Sequence, residues 1–80
     1  MALLNEKIIL VTGGSTGIGR ATSEILAREG ATVIIGDIQN KEGEDTVAAI
    51  KEEGGAAEYY HMDVVNFEQV RDVVAEIVGR

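Results

Sequence analysis

An aliphatic run that ends abruptly in glycine constrains this chain more than any other feature. Lys7-Ile8-Ile9-Leu10-Val11-Thr12 is followed by Gly13, Gly14, Gly17 and Gly19, four glycines within seven residues. The run is continuously apolar rather than alternating, as in a parallel strand covered on both faces. From about Gly17 to Glu29 the pattern turns helical. Ile18, Ala21, Ile25 and Leu26 share one face, Arg20, Glu24 and Arg28 another, and Gly30 fits the stop. A strand that passes through a glycine turn into a helix lets the main chain approach a ligand closely. The free N–H groups and the positive dipole end of the helix stand behind that turn.

The plan then repeats. Thr32-Val33-Ile34-Ile35 predicts a second strand closing at Gly36-Asp37. A helix from about Lys41 to Glu53 follows, with Val47 and Ile50 facing inward and Lys41, Glu42, Glu44, Lys51 and Glu52 in water. Ala57 to Met62 predicts a third strand, ending at Asp63. Asn66 is placed to cap a last helix, with Gln69 answering in a capping box and Val65 stapling onto Val70. Val70, Val73, Val74 and Ile77 give that helix an apolar stripe expected to be core. Strand–helix alternation of this kind specifies right-handed parallel crossovers. The expected fold is α/β, a Rossmann-type three-layer arrangement with a parallel sheet of strand order 3-2-1, the β-α-β-α-β-α half of a doubly wound fold. Residues 1–80 read as one such half-domain.

Charge narrows the ligand. Fourteen acidic residues against seven basic ones give a net charge of −7. A field of that sign repels a nucleic-acid backbone, so a phosphate-bearing small molecule must be held by main-chain N–H groups. The absence of cysteine excludes disulfides and thiolate metal sites. No apolar run is long enough to span a bilayer, and Met1 to Lys7 has no secretory pattern, so a soluble cytoplasmic protein is expected.

The turn itself, Thr12-Gly13-Gly14-Ser15-Thr16-Gly17-Ile18-Gly19, has Gly-x-x-x-Gly-x-Gly spacing. A G-x-G-x-x-G frame beginning at Gly17 fails, because Thr22 stands where its last glycine would be. Thr-Gly-x-x-x-Gly-Ile-Gly resembles the cofactor motif of the short-chain dehydrogenase/reductase family, and the resemblance extends over essentially the whole chain. Asp37, 18 residues after Gly19 at the tip of the second strand, is where an acid accepts hydrogen bonds from both hydroxyls of an adenosine ribose. Its carboxylate repels a 2′-phosphate, and Gly36 and Ile38 supply no compensating charge, so NAD(H) is expected over NADP(H). The resemblance further implies that Asp63 meets the adenine amino group and that the Val64 N–H meets a ring nitrogen. It places Ser15 and Ile18 on the ribose-phosphate portion and gives Thr12 the task of bracing the turn.

Plainer roles stand beside these. Asp37 and Asp63 both fit as turn acids. His61 on a strand with no nucleophile nearby reads as a packing or surface residue, not a catalyst. Tyr59 and Tyr60 are not the family's Tyr-x-x-x-Lys pair, because Asp63 and Val64 stand where Lys is needed. The resemblance implies that a fourth strand, a catalytic Ser and that Tyr-x-x-x-Lys motif belong to later sequence. The parent enzyme would then interconvert a secondary alcohol and a ketone by hydride transfer, and these 80 residues alone would be inactive. A non-catalytic nucleotide-binding module remains open as an alternative. An S-adenosylmethionine-dependent methyltransferase ranks lower, since no acid precedes the first glycine. In strand order 3-2-1 the first strand also has an open edge, from which homo-oligomerisation or self-association is expected.

Overall fold

In a computed structural model, which describes residues 4–79, all six expected elements form. They are β1 Ile8–Thr12, α1 Gly17–Arg28, β2 Thr32–Asp37, α2 Asn40–Glu52, β3 Ala56–His61 and α3 Phe67–Val78. Residues 1–3, part of the segment read for a secretory pattern, and residue 80 lie outside the described residues. The three strands are parallel in the order β1-β2-β3, the expected 3-2-1 sheet. β2 is central and buried from Val33 to Asp37. Its register sets Thr12 beside Gly36 and Asp37 beside His61, so the strand tips line up at one end of the sheet.

Alternation along the strands divides the packing. Val33, Ile35 and Ala57 point to one face, with Ile9, Val11 and Tyr59 beside them, and meet Ala27, Ala31, Val47 and Ile50 in the main core. Helices α1 and α2 share that face. Ile34 and Met62, on the opposite side, are also enclosed.

Three packing expectations are corrected. First, β1 is not covered on both faces: none of its residues is fully buried and Ile8 is half exposed. It pairs only with β2 among the described residues. Second, α1 is turned away from most of its apolar stripe, of which Leu26 alone packs against the core. Ile18 is 87 % and Ile25 56 % exposed, Ala21 is exposed too, and the helix buries Ser23 and Ala27 instead. The glycine turn fixes this rotation. Gly19 lies against the Gly13 carbonyl, and residues 23 and 27 follow it at one-turn steps down the same side. Third, the stripe on α3 is only partly core, since Val73 alone is buried and Val74 is exposed.

The α3 cap also differs in detail. Asn66 Oδ1 accepts from the Gln69 N–H at 3.1 Å, as expected of a cap. Gln69 does not reciprocate to Asn66; its Oε1 reaches back to the Asp63 N–H at 2.8 Å. Val65 remains 85 % exposed, so no staple onto Val70 covers it. Gln69 thereby ties the start of α3 directly to the tip of β3.

Candidate nucleotide site

Main-chain contacts hold the glycine turn. The Gly13 N–H donates to the Gly36 carbonyl at 2.8 Å, joining the turn to the tip of β2. A Cβ on Gly19 would collide with the Gly13 carbonyl oxygen and stand 3.1 Å from the Gly14 Cα. Gly14 is nearly as confined, 3.0 Å from the Ser23 hydroxyl and 3.1 Å from an Ile35 methyl by the same construction. Gly13 and Gly17 differ: both have positive φ, at 67° and 55°, and a Cβ there would meet open space. The crowded glycines therefore seat the helix, and the open ones leave main chain accessible from outside.

The N-terminus of α1 is available to an anion. Thr16 occupies the cap position but its side chain makes no capping hydrogen bond, and no acidic residue stands in the first turn. The first intrahelical bond runs from the Arg20 N–H to the Thr16 carbonyl at 3.1 Å, so the earlier N–H groups have no acceptor within the helix. Ile18 contributes only main chain here, its side chain standing in water.

Asp37 is drawn inward more than its position suggests. It is only 8 % exposed. Oδ1 accepts the Ile38 N–H at 2.7 Å and the Gln39 N–H at 3.4 Å, while Oδ2 faces the Ser15 N–H at 3.3 Å. Burial pushes its carboxyl pKa up, but the neighbouring Ser15 hydroxyl and these three N–H groups outweigh that and hold it below the usual carboxylate range. The acid is thus charged and also fastens the glycine turn to the tip of β2.

Asp63 takes a turn-forming role of its own, with Oδ1 accepting the Val65 N–H at 3.1 Å. A cleft of about 190 Å³ opens between the strand tips, lined by Gly13, Gly36, Asp37, Ile38, Met62, Asp63 and Val64. It joins both acids to the first glycine. Ser15, Gly17, Ile18 and Gly19 lie along the turn and α1 rather than in this cleft, and Thr12 ends β1 beside them. Among the described residues the Thr12 side chain makes no hydrogen bond.

Several residues that hold the site were not singled out by the sequence. Thr46 of α2 is fully buried, and its hydroxyl lies 3.0 Å from the Ser15 carbonyl and 2.9 Å from that of Glu42. Ser23 donates to the Gly19 carbonyl at 2.9 Å. Both are small hydroxyl residues at sheet-facing helix positions, which was the available signal. Tyr59 packs its ring on Gly43 of α2 and directs its hydroxyl to the Asp37 carbonyl. Burial pushes the Tyr59 pKa up, and the charges of Asp37, Glu44 and Glu42 add to that, so it is a proton donor at neutral pH. The Ser15 hydroxyl is buried as well, beside the Asp37 carboxylate whose charge it favours.

A larger cavity of about 310 Å³ lies where α1 and α2 finish, at the other end of the sheet. It is lined by Glu24, Arg28 and Glu53 among others and shares no residue with the strand-tip cleft or the glycine turn.

Comparison with known proteins identifies the family. The family model described as short chain dehydrogenase matches residues 7–80. Cyclopentanol dehydrogenase of Comamonas sp. is 46 % identical over 66 residues, covering 82 % of this chain and 26 % of that protein. A 3beta-hydroxysteroid dehydrogenase of Mediterraneibacter gnavus is 44 % identical over 77 residues, 96 % of this chain and 28 % of its own. Among solved structures, a citronellol catabolism dehydrogenase of Pseudomonas aeruginosa superposes with a TM-score of 0.94 at 36 % identity, covering 98 % of this chain and 33 % of the other. The chain therefore spans between a quarter and a third of the length of these relatives.

Proposed function

The chain belongs to the short-chain dehydrogenase family, and on that premise we propose that residues 1–80 form the NAD(H)-binding half-domain of an oxidoreductase that interconverts a secondary alcohol and a ketone. The observation that carries this reading is the cleft in which Asp37 and Asp63, from successive strand tips, face the first glycine of an uncapped helix turn.

The residues fit such a cofactor on their own chemistry. Thr12 ends the strand, and Gly13 and Gly17 leave an open approach that a Cβ would fill. Ser15 brings a buried hydroxyl beside the Asp37 carboxylate. The Ile18 and Gly19 N–H groups point with the α1 dipole and hold the pyrophosphate without a basic side chain. Asp37 accepts from the adenosine ribose, Ile38 packs beside it, and Asp63 with the Val64 N–H reads the adenine edge. Bound nicotinamide supplies hydride acceptance or donation. What these 80 residues do is bind and orient; the proton-transfer groups of the resemblance, Ser and Tyr-x-x-x-Lys, are not among them.

The charge held on Asp37 favours NAD over NADP, because a 2′-phosphate would lie against a buried anion. Lys41, the nearest lysine in sequence, is engaged by Asp45 at 3.0 Å. Titration calorimetry with NAD and NADP tests the reading. NAD is expected to bind more tightly, and Asp37→Ala to weaken it by about 1.5–3 kcal/mol, as for a charged hydrogen-bond partner. Tighter binding of NADP by the unmutated chain would overturn the assignment. Cytoplasmic location and association of copies through β1 belong to the same proposal.

A further inference from the structure

Asp37 is fixed from two directions, and only one of them is the glycine turn. Its carboxylate meets the Ser15, Ile38 and Gln39 N–H groups. Its main-chain carbonyl accepts the Met62 N–H at 2.9 Å and the Tyr59 hydroxyl at 2.7 Å. That hydroxyl is also 2.6 Å from Asn40 Oδ1, and Asn40 Oδ1 is 2.7 Å from His61 Nδ1. The chain of contacts runs from β3 through the first residue of α2 to the acid at the tip of β2. Meanwhile the Tyr59 ring rests on Gly43, where any Cβ would collide with it, so the ring and the helix have no slack between them.

We infer that Tyr59, Asn40 and His61 form a positioning network that holds Asp37 against the ribose and so sets the protein's discrimination between free and phosphorylated 2′-positions. This rests on the nucleotide-binding reading above.

Proton counting gives the network a direction. Tyr59 has one hydroxyl proton and two carbonyl oxygens within reach. Turning the Asn40 amide over resolves the conflict, since amide oxygen and nitrogen are interchangeable in such a site. Its NH2 group then donates to the Tyr59 oxygen and faces His61 Nδ1, leaving the Tyr59 proton for the Asp37 carbonyl. Tyr59 acts through Asp37 and touches no ligand. Losing its hydroxyl frees the β2–α2 connection, Asp37 to Gln39, to move away from the ribose while the glycine turn stays in place.

Two features separate this role from simple packing. A residue that merely stabilises the fold weakens every nucleotide alike, whereas one that aims Asp37 changes a ratio. The probes are AMP and adenosine 2′,5′-bisphosphate, titrated into the full chain. Tyr59→Phe keeps the ring on Gly43 and is expected to lower the preference for AMP by about fivefold, the worth of one ordinary hydrogen bond. Asn40→Ala leaves the ring and hydroxyl intact and should lower it in the same direction. In ligand-free protein the Ser15 and Ile38 amide resonances, which report on the Asp37 carboxylate, should shift in both variants. An unchanged AMP preference with unmoved Ser15 and Ile38 resonances in Asn40→Ala overturns the inference, and that variant decides if Tyr59→Phe does not fold. Unmutated protein that prefers the bisphosphate overturns the nucleotide reading itself, a different failure.

Discussion

Replacing Gly19 by alanine sets two physical effects against each other with opposite signs. Gly19 is the third residue of α1, and helix propensity alone makes alanine more stable there by about 0.5–1 kcal/mol. The structure predicts the reverse. The new methyl would collide with the Gly13 carbonyl oxygen and lie 2.8 Å from that carbonyl carbon and 3.1 Å from the Gly14 Cα. Ordinary carbon contacts are about 3.5–4.0 Å, so α1 must retreat by roughly 1 Å. All three opposing atoms are main chain, and no rotamer change relieves them. Overpacking costs about 1–3 kcal/mol, and a rigid partner puts this case near the upper end. Net of propensity, Gly19→Ala should destabilise by about 2 kcal/mol. A chain of 80 residues has a total stability of about 4–12 kcal/mol, so the loss is a large share of it. Thermal unfolding followed by circular dichroism should show the midpoint falling by about 10 °C. Gly19→Val should fall further. A Gly19→Ala protein as stable as its parent, or more so, would refute the claim that this glycine seats the helix on the turn.

Two further outcomes follow from the same structure. The Asp37 carboxyl is held below its ordinary value in the folded chain, so its contribution to stability is complete above about pH 4 and is lost as pH falls through the lower folded value; Asp37→Asn should remove that part of the acid limb in a pH series of urea unfolding curves. A protein of these 80 residues, with the outer edge of β1 unpaired and Ile8, Ile18 and Ile25 in water, should sediment at micromolar concentration as a dimer or larger; a monomer whose Ile8 to Val11 amides exchange slowly would show that edge to be protected.

The order of elements was legible because the first two strands are short apolar runs and each helix is closed by glycine. The strand-tip acids were legible for a related reason: in a parallel sheet the tips of successive strands align, so Asp37 and Asp63 had to fall at one end. The rotation of α1 was not. Ile18, Ala21 and Ile25 form a sound apolar stripe, but a contact between Gly19 and Gly13 outranks it, and hydropathy is blind to a carbonyl meeting a missing Cβ. The inward pull on Asp37 was equally hidden, because its partners are main-chain N–H groups that every residue carries. Tyr59 was read as core, correctly for its ring. Its hydroxyl acquires meaning only when α2 brings Asn40 to the tip of β3.

The hold on Asp37 also bears on how such a protein can change its cofactor. Exchanging the acid for a smaller or basic residue, the obvious route to accepting a 2′-phosphate, leaves the Ser15, Ile38 and Gln39 N–H groups without their acceptor. A redesign for the phosphorylated cofactor must therefore supply a replacement acceptor for the turn before it adds a positive charge. If Asp37 sets cofactor preference as proposed, that preference and the integrity of the loop are inherited together, and a lineage that drifts in one must repair the other.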